Sequence, residues 1–171
     1  MIAHEGSMKK IYINKLILHI SVGQAGERLE RAKSVLRELS GQEPKELKAK
    51  KTLRDFGIHK GEKIACMVTV RKAAAVQLLQ RVVQAKNSTV NISSVDQMGN
   101  LAFGIREHID IPGVKYDPEI GIYGMDVMVN LSMPGLRVEE RKRLKSRIGA
   151  GQKVTREQAI EFYRGLGVNL V

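Results

Sequence analysis

The chain has 171 residues, long enough for one domain with a real core. Apolar residues make up 43% of it, which excludes global disorder, and no apolar run approaches the roughly 20 residues of a membrane span. Lys and Arg number 29 against 18 Asp and Glu, and a net charge of +11 favours a polyanionic partner, most often nucleic acid.

The N-terminus MIAHEGSMKK lacks the apolar stretch of a signal peptide. A lone cysteine, Cys66, excludes an internal disulfide and a multi-cysteine metal site, so the cytosol is the expected compartment.

Residues 11–22 alternate. Leu16, Leu18, Ile20 and Val22 line one face of a predicted strand, with Lys15, Ile17, His19 and Ser21 on the other. Gly23 and Gly26 then turn the chain. Leu29, Ala32, Leu36 and Leu39 recur at helical spacing, and Gly41 sits where a helix C-cap belongs. Pro44 begins an extended segment. Ile64, Cys66, Val68 and Val70 predict a second main strand. Residues 72–86 follow as a helix that buries Ala75, Leu78, Leu79, Val82 and Val83.

Residues 87–100 read as a polar loop. Leu101, Phe103 and Ile105 predict a third main strand, and Met125, Val127, Val129 and Leu131 a fourth. Between them, residues 111–118 hold two prolines and a glycine, which excludes regular structure. Thr155 and Gln158 have capping-box spacing at the start of a last helix, which ends near Gly165. No βαβ or internal repeat emerges. The expected fold is α+β: a mostly antiparallel sheet with helices packed on one face. The chain is read as a single domain over residues 1–171, with residues 1–8 and about 136–153 as extended arms.

The charge is segregated. Residues 88–135 carry Arg106 and Lys115 against six carboxylates, a net −4. Two readings stand: a surface for a basic protein, or carboxylates in local turns and caps. Basic clusters run from Lys45 to Arg54 and from Arg141 to Arg147. Tracts like the second fold against phosphate, and the helix that follows argues against a mere solvated tail or localisation signal.

No P-loop, GxGxxG or HExxH pattern occurs. The four histidines, at 4, 19, 59 and 108, are far apart in sequence. The Glu107-His108-Ile109-Asp110 run suggests a metal or acid–base site, but a polar strand end is the favoured reading. Cys66 lies in an apolar alternation and reads as a small core residue. Nothing assembles a nucleophile, a base and an orienter, so neither catalysis, cofactor nor metal is expected. Aromatics are 4% of the chain and Trp is absent, which disfavours a broad single-strand stacking platform. Structured RNA, read through shape and phosphate, fits better. Phe56, between Arg54 and His59, is either a stacking residue or a core residue closing a loop.

The run from Gly104 to Asp126, GIREHIDIPGVKYDPEIGIYGMD, resembles the large-subunit ribosomal proteins that bind 5S rRNA, the L-five family, in their archaeal and eukaryotic form. Ser40-Gly-Gln-Glu-Pro44, Lys48-Ala-Lys50, Phe56-Gly-Ile58 and Val68-Thr-Val-Arg71 follow the same family in the right order, over roughly residues 8–168. The resemblance implies a place in the central protuberance of the large subunit, in the cytoplasmic ribosome. There the family helps attach 5S rRNA to the large rRNA. It also offers a loop to the P-site tRNA and contacts a small-subunit head protein in an intersubunit bridge.

Carried onto this chain, the family's 5S contacts fall on His19, Gln42, Phe56 and Thr69. His19 replaces the asparagine of bacterial members. Lys72 stands where many members have glycine, which leaves the strand-to-helix turn free to differ. With the phosphate-binding cations, the expected rRNA set is completed by Lys48, Lys50, Arg54, Arg71, Arg141, Lys142, Arg143, Lys145 and Arg147. The tRNA-facing loop is about Gly57 to Lys63, with His59, Lys60 and Lys63 as donors. Glu107, Asp110, Asp117 and Glu119 face the basic bridge partner. The alternatives are a basic RNA-processing enzyme, which would turn over RNA, and an RNA-independent protein-interaction module, which would leave both basic clusters unexplained.

Overall fold

The computed structural model describes residues 9–171, so the arm expected over residues 1–8 lies outside the described residues. The alternating stretch near the N-terminus forms β1, Tyr12–Ser21. Its register shifts between Ile13 and Lys15, so Asn14 sits at a bulge and both Ile13 and Leu16 face the core. Helix α1, Glu27–Ser40, follows and ends at Gly41, whose φ of +64° supplies the left-handed cap. Pro44 leads into β2, Lys45–Lys48. β3, Lys63–Val70, and α2, Lys72–Gln84, come next. The chain continues through β4, Thr89–Val90, and β5, Leu101–Ile105, to β6, Met125–Ser132. It ends with the short α3, Arg137–Glu140, then α4, Arg156–Gly165, and β7, Asn169–Leu170.

The main sheet has the order β2-β3-β1-β6-β5 and is antiparallel throughout. One face carries Leu16, Leu18, Ile20, Cys66, Val68, Val70, Val127 and Val129, all 3% exposed or less. The apolar stripes of α1 (Leu29, Ala32, Val35, Leu36) and α2 (Ala75, Leu79, Val82) join them in one core. Each fully buried Leu or Val there contributes about 1.5–3 kcal/mol. This is the α+β layering expected from the alternation: helices lie on one face and the other is left open.

α4 docks separately. Thr155 and Gln158 form the expected capping box: Gln158 N donates to Thr155 Oγ1 at 3.4 Å and Thr155 N to Gln158 Oε1 at 3.2 Å. Ala159 and Tyr163, fully buried, press on the turn at Gly99. A Cβ on Gly99 would lie 2.8 Å from Ala159 Cβ, and its φ is +77°, so both space and backbone require glycine. Tyr163 OH donates to Gly99 O at 3.1 Å. The parallel β4–β7 pair, two residues a side, ties the C-terminal end to the α2–β5 loop.

Candidate nucleic-acid interface

Antiparallel pairing aligns the open-face residues in cross-strand rows. One row runs Lys45, Met67, His19, Asp126, Gly104; the next runs Thr69, Ile17, Met128, Ala102. All nine are half-buried or exposed. His19 and Thr69 thus share the uncovered face, on adjacent strands and neighbouring rows. His19 Nδ1 is 3.4 Å from Asp126 Oδ2, so an acid from the acidic stretch sits in the middle of this face.

A chain of amides crosses the same surface. Arg71 Nη1 donates to Asn14 O at 3.3 Å and Oδ1 at 3.4 Å. Asn14 Nδ2 donates to Asn130 Oδ1 at 2.8 Å, and Asn130 Nδ2 to Asn100 Oδ1 at 2.6 Å. Asn100 Nδ2 then donates to Asp96 Oδ2 at 2.7 Å. A cation at one end and a carboxylate at the other orient every amide in one direction. Sequence reading singles out only Arg71 of this set. The available signal is parity, and for Asn130 alone: it occupies a polar position in the otherwise apolar-alternating β6, whereas Asn100 lies in the turn before β5.

Beyond the β2–β3 edge, residues 49–62 fold into a cationic loop. Leu53 N donates to Ile58 O at 2.9 Å, and a 3-10 turn over Arg54–Phe56 caps the loop. Gly57 closes that turn at φ +65°. Phe56 is 75% exposed and Leu53 49%, so Phe56 is not a core residue. Lys50, Lys51, Arg54, His59 and Lys60 around them are exposed. Two bonds shape the backbone: His59 N donates to Glu62 Oε2 at 2.9 Å, and Lys60 N to Thr52 Oγ1 at 3.1 Å.

Lys63 differs from its loop assignment. It opens β3, and its Nζ pairs with Glu46 Oε2 at 2.6 Å. Hydrogen bonds from Lys63 and Lys33 hold the Glu46 carboxyl below its usual range, and those that Lys33 donates to Glu46 and Glu30 raise Lys33. This network pins α1 to β2, whereas Lys48, opposite Lys63, stays exposed. Gln42 is exposed in the α1–β2 turn, where its N–H donates to Ser40 Oγ at 3.2 Å.

The second basic cluster follows α3. Arg141, Lys142, Arg143, Lys145 and Arg147 are all exposed and form no ion pair among the described residues. The region is not uniformly extended, since it holds α3 and a 3-10 turn over Ala150–Gln152.

The acidic stretch forms a long irregular loop between β5 and β6. His108 anchors it, 3% exposed, with Nδ1 accepting from Tyr123 N at 3.2 Å. Burial pushes this imidazole below its ordinary value. Arg81 Nη2 donates to Pro112 O at 3.0 Å, and Ile111 is buried. Asp110, Asp117 and Glu119 are exposed and Glu107 half-buried. Asp117 is partly used locally, its Oδ1 accepting from Glu119 N at 2.9 Å. Tyr116 and Ile122, 57% and 52% exposed, add apolar contact area that the sequence reading misses. Among the described residues no group of three His, Cys, Asp or Glu is placed to hold a metal. Cys66 is fully buried, with its thiol pushed up to about 11 by burial.

The family model for ribosomal protein L5 matches residues 7–59, and the model for the C-terminus of the same ribosomal family matches residues 63–163. The large ribosomal subunit protein uL5 of Pyrobaculum aerophilum is 52% identical over 164 residues, covering 95% of this chain and 92% of the relative. That of Aeropyrum pernix is 48% identical, covering 96% and 86%. That of Cenarchaeum symbiosum is 46% identical, covering 97% and 99%. These matches span both basic clusters, the open sheet face and the acidic loop, and on them the chain belongs to the ribosomal protein L5 family.

Proposed function

We propose that this chain binds 5S rRNA through its open sheet face and the cationic 49–62 loop, and helps hold it to the large rRNA in the central protuberance. The family places the chain in the large ribosomal subunit, among rRNA and neighbouring ribosomal proteins, as a structural constituent and not an enzyme. In this reading His19, Thr69, Gln42 and Phe56 make shape-specific contacts. Lys48, Lys50, Arg54, Arg71 and the 141–147 cations neutralise phosphates. His59 and Lys60 at the loop end meet the P-site tRNA, with Lys63 acting through the network that fixes the loop's base. Glu107, Asp110, Asp117 and Glu119 meet a basic small-subunit head protein, with Tyr116 and Ile122 as its apolar anchors.

The observation that carries this reading is Phe56. An aromatic ring 75% exposed, in a loop that also exposes five cationic or imidazole side chains, buries little apolar area in the fold, and it suits stacking on a base beside phosphates.

The test is binding of the purified chain to 5S rRNA against a size-matched tRNA, from low to high salt. A 5S preference that survives physiological salt is expected. Phe56→Ala should weaken it by about 1–3 kcal/mol if a base stacks there. Arg54→Ala should lower the salt slope by about 0.7–0.9. Equal binding to both RNAs, vanishing as salt rises, would contradict the proposal.

A further inference from the structure

A cleft of about 390 Å³ lies where the chain enters β1 and leaves β6, closed on one side by α4. Lys9, Lys10, Met133, Gln158, Glu161 and Phe162 line it. Its size falls within the range of small-molecule sites. Three features of the lining are unspent. Lys9, Lys10 and Glu161 form no ion pair among the described residues. Gln158 uses its Oε1 in the capping box, which leaves its Nε2 hydrogens available. Phe162 is half-buried, with Tyr163 set at 73° beside it, and is among the residues that line the cleft.

An aromatic ring, two ammonium groups, an amide donor and a carboxylate are together the recognition set of a nucleotide. The ring stacks on the base, the lysines take its phosphate, and the polar pair reads its edge. Guanine fits this pair best. Its Watson–Crick edge offers one acceptor, O6, next to two donors, N1–H and N2–H. The Gln158 amide would donate to O6, and the Glu161 carboxylate would accept from both donors. Uracil sets two carbonyls around a single donor and would press one of them against the carboxylate.

We propose that this cleft binds an unpaired guanosine nucleotide splayed out of an RNA strand. The proposal rests on the chain being an RNA-binding protein, but not on which RNA it binds.

The test is titration of the full-length, isotope-labelled chain with GMP, AMP, CMP and UMP, and with the trinucleotides AGA and AAA, followed by NMR. GMP should shift the amides of residues 9–11 and 158–162 and bind roughly tenfold more tightly than UMP or AMP, the worth of a charge-assisted hydrogen bond. AGA should bind more tightly than either GMP or AAA. Glu161→Gln, an exposed position whose replacement leaves the helix intact, should abolish the preference for guanine. Shifts elsewhere, no shifts, equal affinity for the four nucleotides, AGA weaker than GMP, or an unchanged preference in Glu161→Gln would each overturn it. Mononucleotides need no 5S rRNA, so failure here and failure of the 5S assignment are separate results.

Discussion

Asn130 Nδ2 donates to Asn100 Oδ1 at 2.6 Å while its own Oδ1 accepts from Asn14 at 2.8 Å, so one side chain on β6 joins the bulge of β1 to the turn before β5. The bulge would otherwise loosen the ladder at the point where Arg71 anchors to Asn14. Asn130→Ala removes both bonds from a half-buried site and should lower stability by about 1–2 kcal/mol, read as a shift in the urea midpoint. An unchanged midpoint would mean that water replaces both amide contacts at no net cost.

Gly99→Ala should be the more damaging substitution. The new Cβ meets Ala159 Cβ at 2.8 Å and Val154 Cγ1 at 2.9 Å, on a backbone held at φ +77°. Overpacking and left-handed strain together should cost about 2–4 kcal/mol. The loss should appear in thermal unfolding. A variant of wild-type stability would show that α4 can retreat freely from the turn.

Lys72 opens α2 with φ +59°, a left-handed conformation that glycine adopts without strain. The expected point of difference in the strand-to-helix turn therefore resolves as a lysine accepting the strained backbone. Lys72→Gly should raise stability by about 0.5–1 kcal/mol, part of the strain relief being offset by the unfolded-state freedom of glycine. A destabilised variant would mean that the lysine side chain makes a contact outweighing its strain.

Most of the fold is legible in the sequence because one sheet face is buried and the other is not. Leu16, Leu18 and Ile20 alternate with Ile17 and His19, so the open face can be drawn from periodicity alone, and Thr69 arrives on it by the same rule. The Thr155–Gln158 capping box is local chemistry and equally readable. The β4–β7 pair is not, since two residues a side carry no period and join segments far apart in sequence. The amide chain is hidden for the same reason: Asn14 reaches Asn130 through a bulge that alternation cannot foresee. A single aromatic in a charged run has no pattern around it, so only the structure decides between core and surface for Phe56.

His108 gives the acidic loop a pH dependence. Burial lowers its pKa in the folded chain, while a backbone hydrogen bond with Tyr123 and, less strongly, Glu38 and Glu107 oppose the shift. The unfolded chain therefore takes up the proton more readily. The stabilising contribution is complete above the unfolded value, about 6.5, and is lost as pH falls from there through the lower folded value. The urea midpoint should decline below about pH 6.5 in the wild type, and less steeply in His108→Gln. Identical slopes would place the titration elsewhere.

The most direct test of the account is hydrogen exchange of the full chain with and without 5S rRNA. The prediction is protection over β1, β3 and residues 49–60, with residues 110–122 unchanged, since the proposed function assigns that loop to a protein partner. Protection confined to the 110–122 loop, with the open sheet face exchanging as in the free chain, would contradict it.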